Sequence, residues 1–133
     1  MAEKGVDSDI SKAHTIPSRF YHHRETHDRV LKAFSSSWLF AAHQHEMVEN
    51  NILPLSQMSD LGEAMVLTKS GADEGIRCLS NVCTHRGMLV AQNPCNAKVL
   101  QCPYHGRTFS LDGGFRNMPE FAGVADFPRP SDD

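Results

Sequence analysis

Two short runs of this 133-residue chain carry donors for metal chemistry: Cys83-Thr84-His85 and Cys102-Pro103-Tyr104-His105. A glycine follows each, at Gly87 and Gly106. Two thiolates and two imidazoles make the donor set of a [2Fe-2S] cluster in which two His replace two Cys on one iron. The oxidised unit then carries no net charge. An all-Cys cluster is two units more negative and harder to reduce, so His ligation raises the potential. A cofactor of this kind trades single electrons.

Zinc is the competing reading. It accepts two Cys and two His, but its paired ligands usually stand two to four residues apart. Cys83 and His85 have only Thr84 between them. The iron–sulfur reading fits better. The remaining cysteines, Cys78 and Cys95, read as buried small apolar residues, because nothing in the sequence suggests an oxidising compartment.

Loops of this kind need strands to hold them. Ile52-Leu53-Pro54-Leu55, Ala64 to Thr68, Ile76 to Leu79, Lys98 to Gln101 and Thr108 to Leu111 read as strands. Trp38 to Met47 reads as a further strand, on which His43 and His45 alternate and share a surface face. Ser70-Gly71-Ala72-Asp73 and Asp112-Gly113-Gly114 are turn signals. Sixteen residues separate His85 from Cys102, room for a β excursion and return, so two facing loops could clamp a flat cluster. A helix is predicted over roughly residues 22–34, with Val30, Leu31 and Phe34 on one stripe and Ser35-Ser36-Ser37 as its stop. The fold class is all-β: a small antiparallel β sandwich or barrel with two cluster-binding loops and a short N-terminal helix. Residues 1–15 read as a mobile lead, 16–118 as the cluster domain and 119–133 as a linker-like tail.

Composition excludes other classes. Thirteen basic against sixteen acidic residues give a net charge of −3, with no basic block for nucleic acid or anionic lipid. The longest apolar run, Trp38 to Ala42, is too short to span a bilayer. The first nine residues lack the apolar core of a secretory signal, so a cytoplasmic location is expected.

The run Asn81-Val82-Cys83-Thr84-His85-Arg86-Gly87, with Cys102-Pro103-Tyr104-His105-Gly106, resembles the Rieske domain of ring-hydroxylating oxygenase α subunits. Trp38 and Phe40 resemble that family's early aromatic strand, Asp112-Gly113 its hairpin, and Phe127-Pro128 to Asp133 the lead into its catalytic domain. The resemblance covers roughly residues 20–133 and implies that Cys83, His85, Cys102 and His105 are the cluster ligands. Respiratory Rieske proteins carry an additional Cys in each loop. Met88 and Tyr104 stand in those places here, so no disulfide can join the loops. A hydroxyl residue often found after the second glycine is also missing. The resemblance therefore implies a potential at the low end of the Rieske range, roughly −150 to −100 mV.

One departure stands out. Where the family usually has Trp after His-Gly, this chain has Arg107, which is expected to pack beside the cluster or against a neighbouring subunit and to affect docking. The resemblance implies an electron-accepting domain, an oxidoreductase component of a Rieske-type mono- or dioxygenase. A ferredoxin or flavin reductase would supply the electron, and a mononuclear-iron oxygenase domain would receive it. That iron needs two His and a carboxylate. His22 and His27 have the spacing but no carboxylate at the right distance, and they precede the cluster loops, so His22, His23 and His27 read as solvent-facing. His14 falls in the lead and carries no signal. The chain is therefore not expected to oxygenate alone, and no substrate contact is expected within it. The alternative is a free-standing Rieske ferredoxin.

Overall fold

The computed structural model describes residues 6–71, 75–121 and 123–127, with the backbone alone at Asp60. The chain divides into two compact units, Met1–Leu39 and Phe40–Asp133.

The first unit holds helices α1 (Arg19–His22) and α2 (Arg24–Ser35). The predicted helix is thus present but begins earlier and breaks at His23, whose ψ of 130° is extended. Its stop is the predicted one. The Ser35 and Ser36 hydroxyls donate to the Lys32 carbonyl, and the Ser37 hydroxyl donates to that of Ala33. These bonds occupy carbonyls that a helix end leaves open. Val30 and Phe34 remain largely exposed, and no residue of α2 is buried. His14, His22, His23 and His27 face solvent.

Trp38 to Met47 is not a strand. Residues 44–45 form a turn that leads into the short helix α3 (Glu46–Glu49). The His43 and Gln44 carbonyls accept the amides of Glu46 and Met47 at 3.0 and 3.1 Å. The His43 amide donates to Glu46 Oε1, and the His45 amide donates to His43 Nδ1. These local bonds use up the amides that a strand ladder would need. His43 and His45 are exposed on this turn, and Trp38 and Phe40 are exposed as well.

The second unit is built on two three-stranded antiparallel sheets. The first runs β1 (Ile52–Leu55), β2 (Met65–Thr68), β3 (Arg77–Ser80), with β2 central and Leu53 opposite Leu67. The second runs β4 (Leu100–Gln101), β5 (Thr108–Phe109), β6 (Phe115–Asn117). β1 has its expected bounds, β3 is shifted by one residue, β2, β4 and β5 are shorter than expected, and β6 adds a strand after the Asp112-Gly113-Gly114 turn. A 3₁₀ turn over Ser56–Leu61 links β1 to β2. Side chains alternate across a strand, so β1 and β2 feed two cores. Ile52 and Val66 join Cys83, Ala91, Leu100, Cys102, Phe109 and Leu111. Leu53, Leu55 and Leu67 pack with Met47. Both faces of β1 are therefore covered, which is why it reads as a continuous apolar run.

Cys78 and Cys95 are exposed, against the expectation of burial. Cys78 lies on the edge strand β3 and points away from the face of half-buried Leu79. Cys95 bonds Ile52 through both its amide and its carbonyl, which leaves the thiol outward. Of the predicted turn at 70–73, Ala72 and Asp73 lie outside the described residues, as do residues 128–133. Among the described residues no helix is long and apolar enough to cross a membrane.

Candidate iron–sulfur site

The two donor loops close in the same way. In the first, the Cys83 amide donates to the Met88 carbonyl (2.8 Å) and the Gly87 amide donates to the Cys83 carbonyl (2.9 Å). In the second, Cys102 donates to Arg107 (2.8 Å) and Gly106 donates to Cys102 (3.0 Å). Each glycine stands four residues after its cysteine and has a left-handed φ, +70° at Gly87 and +73° at Gly106. This conformation strains any residue with a Cβ, which accounts for glycine at both places. The different Cys-to-His spacings are absorbed inside one shared turn.

Strands fix the loop ends. β3 leads into Asn81, whose amide donates to the Ala64 carbonyl at 2.7 Å. Asn81 is buried, and its side chain spans the loop: Nδ2 donates to the Ala91 carbonyl (2.7 Å), and Oδ1 accepts the Ala91 amide (2.8 Å). β4 leads into Cys102, and β5 leaves the second loop. In the sequence Asn81 stands only as a flank of the first motif. Its role as a clamp spans ten residues and has no local signature.

The four donors sort into two pairs. Cys83 and Cys102 are both 2% exposed, and their thiols are in hydrogen-bonding contact. The rings of His85 and His105 meet edge to face with centroids 4.9 Å apart. His105 is exposed and stacks on Tyr104 at 3.8 Å, whereas His85 is half-buried. Burial pushes the Cys83 thiol up, and the neighbouring Cys102 adds to this. The amides of His85 and Arg86, which point at the Cys83 sulfur, pull the other way. Burial holds the His85 imidazole below its usual range, helped by the positive charges of His105, Arg86 and Arg107. Two touching, buried thiols are a poor place for thiolate charge unless a cation sits there, and a coordinating metal deprotonates a thiol outright. Backbone amides aimed at sulfur suit an iron–sulfur unit as well. Paired sulfurs and paired imidazoles fit a binuclear centre better than a lone tetrahedral ion.

Of its two expected places, Arg107 takes the one inside the domain, beside the second ligand loop. It is 3% exposed and points inward, with its guanidinium carbon 4.8 Å from the Phe115 ring, 5.6 Å from Phe109 and 6.0 Å from Phe127. Its position after the glycine turns it under the loop instead of outward.

Comparison with known proteins agrees with this geometry. The family described as "Rieske [2Fe-2S] domain" matches residues 37–128. The oxygenase subunit of carnitine monooxygenase from Escherichia coli K12 is 35% identical over 118 residues, 87% of this chain and 31% of that protein. The α subunit of biphenyl dioxygenase from Paraburkholderia xenovorans is 30% identical over 106 residues, 78% of this chain and 22% of that subunit. Among solved structures, the quaternary ammonium Rieske monooxygenase CntA in complex with L-carnitine superposes with a TM-score of 0.74 at 31% identity. That match covers 90% of this chain and 34% of the other. The chain thus spans about a third of the length of the first of these curated relatives. It belongs to the Rieske [2Fe-2S] domain family and has the antiparallel fold and cluster cofactor of that family.

Proposed function

We propose that Cys83 and Cys102 hold one iron of the cluster and His85 and His105 the other, and that this domain receives electrons for a ring-hydroxylating-type oxygenase. When bound, the cluster takes up one electron and gives it back. The observation that carries the reading is the pairing itself: two identically closed loops bring sulfur to sulfur and imidazole to imidazole. The buried cysteines keep water from the sulfur side. The exposed His105 edge offers a route to a partner. A ferredoxin or flavin reductase would be the donor. A mononuclear-iron oxygenase domain, outside these residues, would be the acceptor. A solved quaternary ammonium Rieske monooxygenase similar to this chain is associated with carnitine oxidation and inter-subunit electron transfer, which supports an electron-transfer role.

The test is preparation of the protein under anaerobic conditions. It should be red-brown, hold iron and acid-labile sulfide in equal amounts, and give a rhombic EPR signal when reduced. Its average g should lie below that of all-Cys clusters. Redox titration should place the midpoint near the low end of the Rieske range, about −150 to −100 mV. A colourless protein with equimolar zinc overturns the reading.

A further inference from the structure

The two imidazoles are not equivalent. His105 is exposed and His85 is half-buried. A ring from the C-terminal segment lies against the inner one: Phe121 meets His85 edge to face, with centroids 6.4 Å apart at 73°. Phe121 in turn packs on Phe127 at 4.9 Å. Phe127 meets Phe115 edge to face at 5.2 Å and lies within reach of the Arg107 guanidinium at 6.0 Å. An unbroken line of contacts thus runs from Arg107 through Phe127 and Phe121 to His85.

The segment is anchored at its start as well. Met118 is buried. Pro119 lies against Gly106, with its Cγ 3.1 Å from where a Cβ on that glycine would stand. The Phe121 amide donates to the Met118 carbonyl, and the Val124 amide donates to that of Phe121, which turns the chain back over the loops. Arg107 serves both parts. Its carbonyl closes the second ligand loop by accepting the Cys102 amide, and its guanidinium lies over the rings of Phe115 and Phe127. A cation over ring faces is attracted by their quadrupoles, more strongly when water is excluded.

We propose that Phe121 is a cover over His85, and that Phe127, gripped by Arg107, positions it there. The proposal rests on the reading of His85 as a cluster ligand. Reduction adds one negative charge to the centre. A ring that keeps water from the imidazole therefore disfavours the reduced form, because burial penalises charge. The cover holds the midpoint down and limits water at the His-ligated iron.

The experiment uses the cluster-bearing protein, with redox titration and pulsed EPR of the reduced state after exchange into deuterium oxide. Phe121→Ala should raise the midpoint and strengthen the signal from exchangeable deuterons near the cluster. Phe121→Leu should restore both towards the parent. Phe127→Ala should shift both in the same direction. The double variant Phe121→Ala/Phe127→Ala should go no further than Phe121→Ala alone, because Phe127 acts through Phe121. A cluster-bearing Phe121→Ala protein with unchanged midpoint and deuteron signal overturns the cover. Additive shifts in the double variant overturn the positioning role of Phe127. Should Phe127→Ala fail to fold, Phe121→Ala against Phe121→Leu still decides whether the cover exists. Absence of any cluster from the parent protein is a different result and defeats the functional reading instead.

Discussion

Gly87 and Gly106 occupy the same place in two loops, yet they are not equally replaceable. Both hold a left-handed φ, which costs a residue with a Cβ about 1–2 kcal/mol. A Cβ at Gly87 would meet nothing within 4 Å, whereas one at Gly106 would meet Pro119 at 3.1 Å. Gly87→Ala should therefore lose stability through backbone strain alone, and Gly106→Ala should lose more because Pro119 must also move. Urea unfolding of the two variants checks this, and equal losses would mean that Pro119 yields freely. The sequence shows the glycines and the four donors plainly, because each loop is local and its residue types are uncommon together. It does not show why Arg107 follows the second glycine. The direction of a long side chain depends on Phe109, Phe115 and Phe127, which only the fold brings to one place.

At the level of elements, β1 to β3 are legible because apolar and β-branched residues stand between clear turn signals. Trp38 to Met47 misleads because its composition suits a strand while His43 and Glu46 fold it locally. What joins the two sheets has no sequence signature. Thr68, at the end of β2, is fully buried, and its hydroxyl donates to the Leu111 carbonyl at 2.6 Å, forty-three positions away. Thr68→Val keeps the shape of the side chain and removes the donor. Leu111 is itself buried, so its carbonyl would then lose this bond without gaining water. The expected loss is about 1–3 kcal/mol, measurable by urea unfolding, whereas Thr68→Ser keeps the hydroxyl and should lose less. A neutral Thr68→Val would mean that the sheets are held by apolar packing alone.

At the scale of the whole molecule, the two cores differ in what they owe to the cofactor. One contains Cys83 and Cys102 and links both donor loops to β1, β2 and β5. The other, around Met47, Leu53, Leu55 and Leu67, has no donor residue in it. A cluster bound by both loops would cross-link them, and it stabilises only what it touches. Helix α2 buries none of its residues and belongs to the other unit. Local stability in proteins is uneven in this way, and amide exchange reads it directly. Removing the cluster should therefore leave the ladder between β1 and β2 largely protected. The amides of Cys83, Gly87, Cys102 and Gly106, which close the loops, should exchange faster by a large factor. The measurement is hydrogen exchange on the loaded and the stripped protein under identical conditions. Uniform loss of protection across both cores would show that the cofactor holds the whole unit and not the loops alone. Unchanged exchange at all four loop amides would show that the loops are prebuilt and that the cluster contributes nothing to their stability.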